Sequence, residues 1–428
     1  MTVRCAISAV LLAVVVLSIS GAAEEPFLYA LNGVFSQISD YTYTVIMAPD
    51  SGALEATVAR IRETDQPWYR VRVESEGFDA TEAWTSLTEL GDRFGNTRVT
   101  ATWRRPGEEV EFYRHVRAES EAVYGPIVSS DFYPIPQSAL PIDAYEWLGG
   151  TADVQTYNPQ VKGLAVDIVG EARTELEAVV RILGWIRENV RYACGKELCE
   201  PVYRVDALAT IDKGIGNCVC YANLALALLR AAGIPSMYVT GLVVDRAESH
   251  AAHAWISVYF PAWGWVEFES ADWMPASGLV PRTFTMPQHI TISVGDPAGI
   301  SNAPFSELHE MDYEVTSEPE IVDRLEGEVA PGSSISWFVT VSSPDRRSRT
   351  IDLQVDGIPP GWYAAASSPS VYIDADAGPL HSYEVLFTVA PPATADPGEI
   401  GSVTLTASSD GGLLGAIEAH VTVRGIDG

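Results

Sequence analysis

The segment that most constrains the fold runs from Gly216 to Pro235. Asn217 is a helix N-cap residue, and the apolar residues that follow, through Leu224, Leu228 and Leu229, continue the helix until Gly233-Ile234-Pro235 stops it. Met237 to Val244 then reads as a strand. His253–Phe260 and Trp263–Glu269 read as two more, forming a hairpin around Pro261. A cysteine, Cys218, therefore opens a helix. A histidine, His253, lies on a downstream strand, and Glu269 follows sixteen positions after it.

This order has chemical consequences. At the first turn of a helix, unpaired backbone N–H groups and the helix dipole favour a thiolate, and the thiolate is the nucleophile. A helix-opening cysteine is more often a small buried residue, so the weight falls on the histidine and the acid. Centring a tight turn on Pro261 pairs residues whose numbers sum to 522, which sets His253 opposite Glu269. Cross-strand neighbours of this kind have Cβ atoms about 5 Å apart. A carboxylate there holds the imidazole in orientation and stabilises its protonated form. The same register sets His250 opposite Asp272, at the fraying end of the hairpin, and a one-residue slip would break either pairing. An alternative use of Cys218, Cys220, His250 and His253 is zinc ligation. Against it, Cys218-x-Cys220 is not the usual knuckle spacing, and the reading taken here has no metal and no cofactor.

Upstream, Pro159–Val169 is expected as a short helix. Thr174–Val190 is expected as an amphipathic one, with Leu176, Val179, Val180, Leu183, Ile186 and Val190 at helical spacing. Residues 24–135 alternate in the manner of strands, as in 41–47, 68–73, 98–103 and 110–116, and predict a β-rich N-terminal domain. Residues 301–315 read as a linker. From 316 to 428, short alternating strands separated by turn residues predict a β-sandwich. Trp255, Trp263, Trp265 and Trp273 surround the proposed site and either line an apolar acyl cleft or pack as ordinary core. Arg230 is assigned to the helix C-terminus rather than to substrate.

Composition bounds the partners. The chain has 428 residues, 47% hydrophobic and 10% aromatic, which indicates folded protein in two or three domains. Its formal net charge of -30 excludes nucleic acid, which demands basic patches. Arg4, an uncharged run from Cys5 to Ala23 and a small-residue end read as a secretory leader over residues 1–23, cut after Ala22 or Ala23. Left uncut, the same run is long enough to anchor the chain in a membrane. The expected location is thus extracytoplasmic, where cysteine pairs oxidise. Cys194 and Cys199 could close a small disulfide, the alternative being two free thiols.

Several of these pieces together resemble the microbial transglutaminase-like superfamily, relatives of the papain-type cysteine enzymes. The match comprises Gly216-Asn217-Cys218-Val219-Cys220-Tyr221-Ala222, Leu228 to Pro235, Val239-Thr240-Gly241, His253-Ala254-Trp255 and Gly264 to Glu269. Trp185-Ile186, Val190-Arg191-Tyr192, and His289-Ile290 leading to Gly295-Asp296-Pro297 extend it, so that it covers about residues 136–300. The resemblance implies an α+β transglutaminase-like catalytic core in a multi-domain chain, with Cys218 as nucleophile, His253 as general base and acid, and Glu269 as the orienting acid. The family usually has Asp at that last position, and often an acidic residue where Cys220 stands. The tail resembles immunoglobulin-like modules, most clearly at Gly357 to Trp362. The function expected is acyl transfer through a thioester on a protein or peptide substrate, ending in hydrolysis or in transfer to an amine-bearing acceptor. The rival is a surface binding or structural protein that keeps a vestigial site.

Overall fold

A computed structural model describes residues 26–47, 53–106, 108–193, 205–243, 252–271, 289–295, 308–374 and 382–425. Its centre is the helix Cys218–Ala231, buried almost all round. Leu224, Ala225, Leu226, Ala227, Leu228 and Leu229 are all fully covered, as expected of a helix that is apolar on every face. The Asn217 side chain accepts from the backbone N–H groups of Val219 and Cys220, at 3.1 and 3.3 Å. At the other end Gly233 takes φ 83°, and Ile234 N–H turns back to the Leu229 carbonyl at 2.9 Å. Arg230 closes this end. It donates to the Ser236 carbonyl from two nitrogens and to the Gly149 carbonyl from the third.

Two helices flank this one. Pro159–Val169 is capped by Asn158 and Glu175–Asn189 by Thr174, and both helices meet the expected spans. On the other side lies an antiparallel sheet in the order Gly264–Phe268, Ala252–Phe260, Ser236–Val243, His289–Gly295. Ala254, Ile256, Val258 and Phe260 of one strand, with Val266 and Phe268 of the next, face the helices in one shared core. Alternation puts Trp255 and Glu267 on the opposite face. The N-terminal β region closes over that face and over the sheet's outer edge. Asn96 brackets Val294, donating to its carbonyl at 2.8 Å and accepting its N–H at 2.9 Å. Arg62 N–H reaches the Thr291 carbonyl, and the Tyr69 hydroxyl donates to the His289 carbonyl.

The flanking β regions are joined more closely than the alternation pattern indicated. Leu28–Met47 is one twenty-residue strand. Its start pairs with Ser334–Ser342 and its remainder with Val110–Tyr124, so a single sheet runs from the C-terminal strands into the N-terminal ones. The linker expected at 301–315 is corrected in its second half. Leu308–Ser317 is a strand lying antiparallel along 36–43. Met311, Tyr313 and Val315 alternate with Glu310, Asp312 and Glu314, which is a strand pattern inside a polar-looking stretch. Val315 packs beside the cluster of Tyr29, Leu31 and Phe35. The C-terminal strands form two sheets around one core, and Arg324–Val329 pairs parallel with Gly412–Val423. Trp362 seats in that core with its indole N–H on Glu399 at 2.9 Å. This sandwich also braces the helix Glu175–Asn189, because the Tyr363 hydroxyl donates to the buried Glu177 carboxylate. Among the described residues no helix is long and apolar enough to cross a membrane. The leader, the Cys194–Cys199 pair, His250, Asp272 and Trp273 lie outside the described residues.

Candidate active site

Cys218 occupies the first turn of the central helix, is almost wholly covered, and carries a free thiol. Its side chain hydrogen-bonds the His253 imidazole. His253 Nε2 lies 2.7 Å from Glu269 Oε2, with both side chains 1% exposed. The structure therefore brings the three sequence-selected residues into one buried chain of contacts. Cys220, two residues further along the helix, is buried beside Gly216, where an added Cβ would lie 3.0 Å from the Cys220 Sγ.

The hairpin register differs from the expected one and still delivers the contact. The observed pairs are Phe260↔Gly264 through Ile256↔Phe268, whose numbers sum to 524 rather than 522. The expected register left Pro261 alone as the loop, and hairpins need at least two loop residues. The loop is Pro261-Ala262-Trp263, closed by Gly264 at φ 75°. A shift of two in the sum preserves which side chains share a face. Glu269, just past the last paired residue, then meets His253 diagonally rather than directly opposite.

One residue was missed as a member of the site. His289, on the edge strand, also places Nε2 on Glu269 Oε2, at 2.8 Å, and is fully buried. It appeared in the sequence only as part of the pattern leading to Gly295. Nothing in its local spacing tied it to an acid twenty positions earlier. Gly241 is what allows the two imidazoles to meet the same carboxylate. It sits on the intervening strand, paired with His253 on one side and Thr291 on the other. A Cβ there would lie 2.1 Å from the Ile290 carbonyl oxygen and 2.3 Å from the Trp255 ring.

The remaining Glu269 acceptors are also filled. Oε1 takes the Ala271 N–H at 2.6 Å, and the Glu269 carbonyl takes Arg187 at 2.9 Å. Two residues along each strand, back from Glu269 and forward from His253 and His289, the arrangement repeats. Glu267 Oε2 accepts from the Trp255 indole at 2.7 Å and from the Thr291 hydroxyl at 2.8 Å. Gln66 of the N-terminal β region donates to Glu267 Oε1 at 3.3 Å and accepts the Glu267 N–H at 2.9 Å. Trp255 thus supports this buried tier. Trp263 packs edge-on against Trp68 at 4.5 Å, and Trp265 meets Tyr259 edge-to-face at 5.4 Å, so none of the three is given over to an open cleft.

Electrostatics set the charge states. Burial pulls the His253 imidazole down, but the Glu269 carboxylate and the Cys218 side chain outweigh it and push its pKa up to about 10. Burial raises the Glu269 carboxyl, yet His253 and His289 together hold it well below the usual carboxylate range. Burial raises Glu267 above its ordinary value, against the opposing pull of its Trp255 and Thr291 donors. The zinc alternative finds a different set than the one considered from sequence. Among the described residues His253, Glu269 and His289 are the groups whose ligand atoms lie within 4.8 Å of one another. In the geometry present, both imidazole Nε2 atoms are spent on one carboxylate oxygen.

Residues 162–270 match the transglutaminase-like superfamily family model. This segment is a transglutaminase-like core, carried in a multi-domain chain with β-rich flanks. Among curated proteins, the chain is similar to the uncharacterized protein YebA of Bacillus subtilis, 28% identical over 240 residues, covering 52% of this chain and 29% of that protein. It is also similar to an uncharacterized Haemophilus influenzae protein, 23% identical over 231 residues, covering 47% of this chain and 60% of the other. The chain thus spans less than two thirds of either relative. Among solved structures it is similar to a candidate cysteine protease from Cytophaga hutchinsonii (22% identity, 69% of this chain, 92% of that one, TM-score 0.45). Another is the periplasmic domain of TgpA from Pseudomonas aeruginosa (17% identity, 58% and 94%, TM-score 0.28).

Proposed function

We propose that this protein is a cysteine-nucleophile amide hydrolase that acts on protein or peptide substrates outside the cytoplasm. The observation that carries the reading is the buried contact chain from Cys218 through His253 to Glu269. With Nε2–H spent on Glu269, Nδ1 is the imidazole nitrogen left to take the thiol proton. The thiolate then attacks the amide carbonyl carbon, and the C–S bond forms as the carbonyl π electrons move to oxygen. Collapse of the tetrahedral species breaks the C–N bond, and the imidazolium supplies the proton to the departing amine. A thioester on Cys218 remains. His253 draws a proton from water, which attacks the thioester, and the thiol is regenerated with the carboxylic acid. An amine acceptor in place of water gives transamidation with the same residues. The extracytoplasmic assignment rests on the leader-like residues 1–23. The β-rich flanks, including an immunoglobulin-like module at the C-terminus, are assigned to holding the core, which they contact through Gln66 and Tyr363.

The test is the alkylation rate of each cysteine by iodoacetamide as a function of pH, read by mass spectrometry. Labelling of Cys218 that stays fast below neutral pH, and slows at least about tenfold in His253→Ala, is the expected result. An ordinary thiol profile at Cys218, indifferent to His253, overturns the enzymatic reading in favour of a binding protein with a vestigial site. Peptide substrates incubated with and without a lysine-like amine then separate hydrolysis from transfer.

A further inference from the structure

Tyr192 stands beside the start of the nucleophile's helix. It belongs to a two-residue strand, Arg191–Tyr192, which runs parallel to Ile215–Gly216 with Tyr192 paired to Gly216, two residues before Cys218. The backbone there is clamped on both sides. Arg191 N–H bonds the Gly214 carbonyl and Ala193 N–H the Gly216 carbonyl, each at 2.9 Å. The ring is packed at 5.8 Å from that of Tyr221, on the helix itself. This frame carries the Tyr192 hydroxyl to Cys218, where it hydrogen-bonds both the Cys218 side chain and the Cys218 backbone N–H.

The helix cap makes that backbone N–H significant. Asn217 takes the N–H groups of Val219 and Cys220, and Tyr221 N–H bonds the Asn217 carbonyl, so the cap leaves the Cys218 N–H to another acceptor. In acyl transfer the oxyanion develops on the carbonyl oxygen next to the attacking sulfur, within reach of the nucleophile's own amide. A hydroxyl already bonded to both that amide and that sulfur is within reach of the same point.

We propose that Tyr192 is a catalytic residue, whose hydroxyl donates alongside the Cys218 N–H to the tetrahedral oxyanion. In the resting state the hydroxyl accepts from the amide and donates to sulfur. When the substrate carbonyl enters, its oxygen takes the place between amide and hydroxyl, and both donate to it. The hydroxyl stays a donor throughout, because burial and the adjoining Cys218 hold its pKa far above the phenol range. This rests on the acyl-transfer reading above.

Two probes of the same thiol separate the roles. Iodoacetamide alkylates sulfur by displacement at a saturated carbon and forms no oxyanion. p-Nitrophenyl acetate acylates sulfur through a tetrahedral oxyanion and releases p-nitrophenolate. The comparison is made at the plateau of each pH profile for wild type, Tyr192→Phe and Tyr192→Gln, the last restoring an N–H donor. Tyr192→Phe is expected to keep its iodoacetamide rate within about threefold, which also reports a folded site, and to lose about 10- to 1000-fold in acylation. Tyr192→Gln is expected to recover part of that loss. Parallel loss with both probes overturns the proposal, since Tyr192 would then act on the thiol alone, and so does an unchanged acylation rate. A wild-type Cys218 that alkylates rapidly but is not acylated also overturns it. A wild-type Cys218 that behaves as an ordinary thiol with both probes instead removes the acyl-transfer reading, and the proposal falls with it.

Discussion

Replacing Gly241 by alanine adds one methyl group at the point where three strands bring the candidate site together. That Cβ would fall 2.1 Å from the Ile290 carbonyl oxygen, 2.9 Å from its carbonyl carbon and 2.3 Å from the Trp255 ring. Ordinary contact begins near 3.4 Å, so relief requires an opening of roughly 1 Å, and the nearest obstacle is backbone that no rotamer change can move. Ile290 lies between His289 and Thr291. A displacement of that size lengthens the 2.8 Å His289–Glu269 and Thr291–Glu267 bonds beyond useful hydrogen-bond range. Overpacking of this kind costs about 1–3 kcal/mol, and the lost buried bonds add to it. Melting temperature is expected to fall by several degrees at least, roughly 2–4 °C per kcal/mol for a unit of this size. Alkylation of Cys218 is expected to slow as His253 loses its fixed acid. The control is Gly163→Ala, in the exposed face of the helix Pro159–Val169, where an added Cβ meets nothing within 4 Å. It is expected to be neutral or stabilising by about 0.4–1 kcal/mol. A Gly241→Ala protein with wild-type melting and wild-type Cys218 reactivity would refute the argument that this glycine is required for the site to close.

Two further outcomes follow from the charges. His253 has a folded-state pKa near 10, above its ordinary 6.5, so its contribution to stability is complete below about pH 6.5 and is lost as pH rises through 10. Unfolding free energies from urea titrations at pH 6 to pH 10 are expected to fall by about 1 kcal/mol per pH unit across that window, and Glu269→Gln, which removes the stabilising charge, is expected to flatten the slope. An equally steep slope in the variant would count against the pair. On the second tier, Gln66→Leu leaves Glu267 buried with one donor fewer, at a cost of about 1–3 kcal/mol by denaturant titration. It tests whether the N-terminal β region supports the site, because a variant as stable as wild type would show that it does not.

The separate helices were legible because their signals are local. Asn217, Thr174 and Asn158 are side-chain caps that act within three residues, and Gly233 marks a left-handed stop. Cys218 at a helix start, and the presence of a histidine and an acid on neighbouring strands, follow from the same short-range reading. The hairpin was legible only in its parity. Face is set by counting in twos, whereas the pairing itself depends on how the loop closes, and the loop took in Ala262 and Trp263 after Pro261, moving its centre to Ala262.

What the chain by itself determined is therefore a set of elements with their ends, the faces they bury and the chemical types they carry. Tertiary structure alone decided which of those types meet. His289 joins Glu269 only because Gly241 leaves the intervening strand bare, and Tyr192 reaches Cys218 only through a two-residue parallel pairing. The long strand Leu28–Met47 ties the two β regions into one sheet through partners some three hundred residues away. The physical reason is common to all three. Caps and periodicity are fixed by backbone geometry within a turn or two, while these contacts are settled by packing across strands distant in sequence, which no local pattern encodes.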